Sequence, residues 1–282
     1  MLISKTIAEA QSACAQLRGE GRVVGRTLGL VPTMGALHEG HLSLARAARA
    51  ACDAVAVSIF VNPTQFGPNE DFSKYPRTFE NDCALLEREG VDLIFAPTVE
   101  EMYPAWASTF VIVEGVSDRL DGASRPGHFR GVTTVVSKLF HIIAPHKAFF
   151  GQKDAAQVAV LRKMVRDLNF PLQFVVCPIV READGLALSS RNHYLSEKER
   201  QQALVLHRAL QKVEEAVASG EGSSSKLIEA AGLVLAQEPG VRVDYIAVVD
   251  PDTLEDVSDV RGALVAVAAF VGTTRLIDNI LL

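Results

Sequence analysis

The chain has 282 residues and 30.4 kDa, is 48% hydrophobic and 22% charged, and has a mean hydropathy of +0.17. These values exclude a disordered chain and supply a core for one large domain or two modest ones. The longest fully apolar run has nine residues, 263–271, against the ~20 a spanning helix needs, and the net charge of −6 makes extended nucleic acid a poor partner.

The charge deficit is uneven. Residues 1–178 carry 18 basic and 18 acidic side chains, and residues 179–282 carry 10 and 16. Cys14, Cys52, Cys83 and Cys177 lie far apart with no C-x-x-C pair, so reduced, mostly buried thiols are expected rather than disulfides or a zinc site. The opening residues lack the apolar stretch of a secretory signal, which leads to the expectation of a cytoplasmic protein.

In chain order, residues 26–32 (RTLGLVP) read as a strand ended by Pro32. A helix is expected over 41–52, with Leu42, Leu44, Ala45 and Ala48 near a 3.6-residue period. Residues 54–61 (AVAVSIFV) have the continuous apolar character of a strand covered on both faces. A loop over 62–78, a helix to about 89 and a strand at 91–97 follow. Later come a helix at 131–144, a strand at 147–151, a helix at 154–168 and a strand at 172–178. This alternation predicts a Rossmann-like, doubly wound parallel sheet. Beyond about residue 178 the texture changes. Helices are expected over 197–218, opened by the Ser196/Glu199 capping box, and over 225–237. Three strand-like runs follow, at 241–250, 263–271 and 274–282. Helices and then adjacent strands predict a smaller C-terminal α+β domain, 179–282, after a nucleotide-binding domain, 1–178.

In an open α/β sheet the ligand crevice lies beyond the carboxyl ends of the strands, and the chemically distinctive residues fall there. After the first of these strands comes PTMGALHEGH, residues 32–41. Gly35 and Gly40 leave room for close backbone approach. His38 and His41, three apart at a helix start, can share a face beside free N–H groups that favour an anion. For an arbitrary H-x-x-H, solvated or capping histidines are the ordinary reading; a zincin would space them by four. A second stretch, 181–196, centres on Leu188, Ser189, Ser190 and Arg191, hydroxyls and a guanidinium suited to phosphate oxygens.

The first stretch resembles the "HIGH" motif of the nucleotidylyltransferase superfamily, and the second resembles its late companion of the "KMSKS" type. Two further segments narrow the likeness: SIFVNPTQF (58–66), and GHFRGVTTVVSKLF (127–140) preceding FFGQKDAAQ (149–157). Together the ordered motifs resemble the pantothenate synthetase family, ligases that join pantoate to β-alanine. The C-terminal hundred residues are similar mainly in layout and in the ending RLIDN (275–279).

The resemblance implies ATP binding by Met34, Gly35, Ala36, Leu37, His38, Glu39, Gly40 and His41. It adds Gly151, Gln152, Lys153 and Asp154, then Val180, Leu188, Ser189, Ser190 and Arg191. It implies a catalytic His41, described for the family as a proton donor, with His38 and Lys153 beside it. It assigns Gln65 to pantoate and β-alanine together and Gln157 to pantoate. The substrates so implied are ATP, pantoate and β-alanine, with Mg²⁺ carried on the phosphates, and the assembly implied is a homodimer. The acidic pair that some members carry is here Asn81-Asp82, so no protein-ligated metal is expected there. A nucleotidyl transfer to another acceptor on the same scaffold, and an RNA-binding synthetase-like module, stay open at this point. The paired glutamines favour the ligase, and the acidic C-terminal region weighs against RNA.

Overall fold

The computed structural model describes residues 1–19, 25–68, 70 and 72–282. Its larger layer is a parallel sheet of six strands: β1 (Leu2–Ser4), β2 (Leu28–Thr33), β3 (Ala54–Ile59), β4 (Leu93–Phe95), β5 (Lys147–Gly151) and β6 (Gln173–Cys177). The apolar runs are continuous because both faces are covered. On one face Leu28, Leu30, Ala54, Ala56, Leu93 and Phe95 pack with helices α1 (Ile7–Arg18), α6 (His128–Ile143) and α7 (Ala155–Asp167). On the other, Val31, Val55, Val57 and Ile94 pack with α2 (Glu39–Ala51) and α3 (Phe79–Arg88). Short helices α4 (Val99–Met102) and α5 (Asp121–Ser124) lie between β4 and α6. The fold is therefore α/β and doubly wound, as expected.

The strand order is β1-β4-β3-β2-β5-β6. From β2 the chain winds outward through β3 to β4, then returns to place β5 on the opposite side of β2. The switch point lies between β2 and β5, and there the loops leaving neighbouring strands diverge and open a crevice.

The smaller unit has helices α8 (Glu197–Ala218) and α9 (Ser224–Leu235) on an antiparallel sheet of β7 (Val241–Val249), β8 (Leu264–Val271) and β9 (Thr274–Leu281). α8 starts at the expected box: Glu199 N–H donates to Ser196 Oγ at 3.3 Å and Ser196 N–H to Glu199 Oε2 at 2.9 Å. β8 is apolar throughout because it too is covered twice. Val265, Val267, Ala269 and Val271 face α8 and α9, whereas Leu264 and Ala266 join the core of the larger unit with Ala247 and Val249 of β7. The two sheets therefore share part of one core. All four cysteines are free thiols.

Several boundaries differ from the sequence reading. β1 and α1 were not anticipated; α1 opens on a Thr6/Glu9 capping box, the one local signal for it. α2 starts at Glu39 rather than 41 because His38 serves as its N-cap. α6 starts at His128 rather than 131, after left-handed Gly127. Among the described residues no helix is long and apolar enough to cross a membrane.

Candidate active site

The turn leaving β2 reverses through two left-handed residues, Gly35 (φ 82°) and Ala36 (φ 52°). A non-glycine residue there is strained by about 1–2 kcal/mol. The compensating contact comes from α3. Asp82, fully buried, accepts the Ala36 N–H through Oδ2 and the Leu37 N–H through Oδ1, both at 2.9 Å, while the Thr78 hydroxyl donates to Oδ1 at 3.0 Å. A Cβ on Gly35 would sit 3.0 Å from Asp82 Oδ2, so position 35 has little room for a side chain as well as an unusual φ.

The turn delivers the two histidines in a defined state. His38 Nδ1 accepts the Gly40 N–H at 3.2 Å, and His41 Nδ1 accepts the His38 N–H at 3.4 Å. Each imidazole thus has Nδ1 as acceptor and carries its proton on Nε2. The ring centroids are 4.2 Å apart. Burial, then the neighbouring Lys153 charge, depresses the His38 pKa to about 4; burial, then His38 itself, depresses that of His41 to about 3. Both are neutral N–H donors near pH 7.

Across the switch point β5 ends at Gly151 and tightens into a 3₁₀ turn, Gln152–Asp154, that leads directly into α7. Lys153, Asp154 and Gln157 face the cleft from here. Gln65 closes another 3₁₀ turn, Pro63–Gln65, after β3. Its amide is held: Asn62 Nδ2 donates to Gln65 Oε1 at 3.1 Å and to the Gly131 carbonyl at 3.1 Å, and Gln65 Nε2 lies 3.2 Å from Met34 Sδ. A Cβ on Gly131 would lie 2.3 Å from the Thr64 carbonyl oxygen, so only glycine lets α6 approach this turn. The Gln65 carbonyl is held as well. His128 Nδ1 donates to it at 2.8 Å, which leaves Nε2 to accept from Arg125 at 2.9 Å. Arg125 is paired in turn with Glu70 at 2.6 Å. Burial first and Arg125 second depress the His128 pKa to about 4.

The 181–196 segment folds back on itself. Arg181 bridges Ala187, the Leu188 N–H donates to the Val180 carbonyl at 3.0 Å, and Ser189 Oγ accepts the Arg191 N–H at 3.2 Å. The resulting cleft of about 230 Å³ is lined by Met34, His38, Gly40, His41, Gln65, Gly151, Lys153, Asp154, Gln157, Val180 and Leu188 to Arg191. A wider one of about 610 Å³ adjoins it toward β9 and shares Lys153, Asp154, Gln157, Ser189 and Arg191. The residues with implied roles thus converge, with five exceptions. Gly35, Ala36 and Leu37 form the turn behind the cleft, Glu39 is exposed and paired with Arg46, and the Gln152 amide donates to Asn279. The sequence reading missed Asn62, Asp82, Arg125 and His128. Ser58 near the end of β3 also lines the cleft, and its buried hydroxyl has no hydrogen-bond partner among the described residues.

The cleft is lined by neutral imidazole donors, an ammonium, hydroxyls and a guanidinium, and also by two carboxamides. The first set can stabilise charge on phosphoryl oxygens, and the second can bind a polar organic acid by its hydroxyls and carboxylate.

The family model described as pantoate-beta-alanine ligase matches residues 2–281. Pantothenate synthetase of Acidobacterium capsulatum is 67% identical, over 99% of this chain and 96% of the relative. The crystal structure of pantothenate synthetase from Thermus thermophilus superposes with a TM-score of 0.93 at 49% identity, over 99% of both chains. That of pantoate-beta-alanine ligase from Francisella tularensis, complexed with beta-gamma ATP and beta-alanine, gives 0.80 at 33% identity, over 100% of this chain and 97% of the other.

Proposed function

The chain belongs to the pantoate-beta-alanine ligase family, and we propose that it condenses pantoate with β-alanine through a pantoyl-adenylate formed at the β2–β5 switch point. An oxide is too poor a leaving group for a free carboxylate to acylate an amine, and ATP removes that obstacle. A pantoate carboxylate oxygen attacks the α-phosphorus, and the bond from that phosphorus to the β-phosphate oxygen breaks as pyrophosphate leaves. The β-alanine amine then attacks the acyl carbon, the acyl–oxygen bond to AMP breaks, and the amine proton is lost as the amide forms.

Each side chain has a task its geometry permits. His38 and His41 present Nε2–H groups, and Lys153 presents a compact charge, to the phosphoryl oxygens. Ser189, Ser190 and Arg191 close from the other side. Most of this catalysis is positioning and charge stabilisation. Gln157 binds the acid. Gln65, pinned at its amide and at its carbonyl, stands where acid and amine meet. The observation that carries this reading is the convergence in one cleft of the paired imidazoles with two carboxamides.

The donor set also suits Mg²⁺ carried on the phosphates. Asp154 is the carboxylate lining the cleft of about 230 Å³, and Mg²⁺ favours one or two carboxylates with phosphate oxygens and water. The ion would offset charge on the triphosphate. A homodimer is supported by Trp106, Phe110 and Ile112, 84%, 43% and 60% exposed on one stretch. A division of the chain near residue 178, where β6 gives way to the 181–196 segment, and a location in the cytoplasm with its ATP, complete the proposal.

The test is isotope exchange. Labelled pyrophosphate should enter ATP with pantoate present and β-alanine absent. Exchange that strictly required β-alanine would remove the separate adenylation step.

A further inference from the structure

The ending RLIDN, 275–279, has no part in the chemistry above, yet three of its side chains reach other parts of the molecule. Arg275 spans from β9 to Asp121 of α5, at 2.7 Å, and to Asp244 of β7, at 2.8 Å. Asp278, 3% exposed, accepts from both terminal guanidinium nitrogens of Arg181 at 2.6 and 2.9 Å and so anchors the start of the 181–196 segment.

Asn279 is the most informative. It is 2% exposed, and its amide meets the turn that carries Lys153. Nδ2 donates to the Gln152 carbonyl and to the Lys153 carbonyl, both at 3.0 Å, and Oδ1 accepts from Gln152 Nε2 at 3.0 Å. Both donors and one acceptor of a single amide are therefore used on two successive residues of one 3₁₀ turn. A carboxylate of the same shape would set oxygen against two carbonyl oxygens, and an alkyl group would leave those carbonyls buried without these partners.

We infer that Asn279 is a positioning residue for Lys153: from the last strand of the C-terminal sheet it fixes the main chain of the Gln152–Asp154 turn, and thereby the point from which the Lys153 ammonium enters the cleft. The inference rests on the role of Lys153 proposed above. It also gives Gln152 a task other than touching nucleotide, since its side chain completes the clasp.

The experiment is a double-mutant cycle on pantoate-dependent pyrophosphate exchange, using Asn279→Ala, Lys153→Ala and the pair, with KM for pantoate followed throughout. Displacing a reacting group by about 1 Å can cost on the order of 10²-fold in rate. Asn279→Ala should therefore lower kcat about 10- to 100-fold while KM for pantoate stays within about twofold. In the Lys153→Ala background the same change should alter kcat by less than about twofold, because residues acting through one another are not additive. Asn279→Asp should recover part of the loss as the pH is lowered, when a protonated carboxyl can again donate to one carbonyl. If Asn279→Ala does not fold, Asn279→Ser, which keeps one donor, enters the cycle instead. A full, additive loss in the Lys153→Ala background overturns the inference and returns Asn279 to general support of the fold. Normal turnover in Lys153→Ala alone would instead refute the role of Lys153, a failure visible before the cycle is closed.

Discussion

Asp82 should be indispensable to the turn that carries His38 and His41, although it does not face the cleft. Asp82→Asn keeps the shape and replaces one acceptor oxygen by an NH₂ group. In the native arrangement Oδ2 takes the Ala36 N–H, and Oδ1 takes the Leu37 N–H and the Thr78 hydroxyl. Whichever way the new amide sits, one buried N–H faces another donor, at a cost of about 1–3 kcal/mol. The surviving bond also loses its charge assistance, about 1 kcal/mol more. A loss of about 2–4 kcal/mol results. At ~2.1 cal/mol/K per residue over 282 residues, that lowers the melting temperature by about 3–7 °C. Ala36, no longer held at φ 52°, should relax toward the right-handed region and carry the His38 cap with it, so kcat for exchange should fall as well. Differential scanning calorimetry and pantoate-dependent exchange on the same preparation read both effects. A melting temperature within about 1 °C of the parent, with unchanged kcat, would refute the argument.

Two further outcomes are expected. Gln157→Ala should raise KM for pantoate by one to two decades, the equivalent of about 1–3 kcal/mol, and leave KM for ATP nearly unchanged, whereas Gln65→Ala should impair pantoate and β-alanine together; steady-state kinetics with each substrate varied decides it, and a loss confined to ATP would contradict the assignment. Because the folded His38 and His41 values, about 4 and about 3, lie below the ~6.5 of a free imidazole, the unfolded chain binds more protons in that window. Their contribution to stability is complete above about pH 6.5 and is lost as the pH falls through the folded values; melting curves from about pH 7 to 4 should show a decline that His41→Gln makes shallower, and an equally steep decline in that variant would contradict the assignment.

The larger sheet was largely legible because most of its strands are either long apolar runs or end in a motif. Ala54–Ile59 is apolar almost throughout since Ala54 and Ala56 face one helix layer and Val55 and Val57 the other. β1 escaped because three residues on an edge carry no periodicity, and α1 because its buried residues, Ala10, Ala13 and Cys14, offer little hydrophobic contrast with the rest. The motif residues were readable at strand ends, where a doubly wound sheet puts its ligand. Asp82, Asn62 and His128 were not, for a common reason. Each acts on main chain distant in sequence: Asp82 on Ala36 and Leu37, Asn62 on Gly131, His128 on Gln65. No local pattern encodes a buried acceptor that meets a turn 46 residues away. The glycines were a partial signal, since Gly131 in GHFRGV marks the approach of α6 that brings His128 and Asn62 to one turn.

The neutral state of the histidines bears on how such a site can turn over. Interactions that hold substrate and transition state equally lower KM without raising kcat. Permanent imidazolium charges beside Lys153 would hold bound triphosphate and departing pyrophosphate about as firmly as the structure between them. At their depressed pKa values His38 and His41 would instead meet ATP, in the proposed reaction, as dipoles, each with Nδ1 occupied by a backbone N–H and Nε2–H left to donate. Charging either ring would put a proton on Nδ1, against the backbone N–H that this atom accepts, so in the proposed reaction each ring acts through its Nε2–H as a neutral donor. The donor role that the resemblance implies for His41 is compatible with its low pKa when the donor is the Nε2–H of a neutral ring. A neutral donor of this kind strengthens as negative charge develops on its acceptor, which in the proposed reaction happens where the phosphorus–oxygen bond breaks.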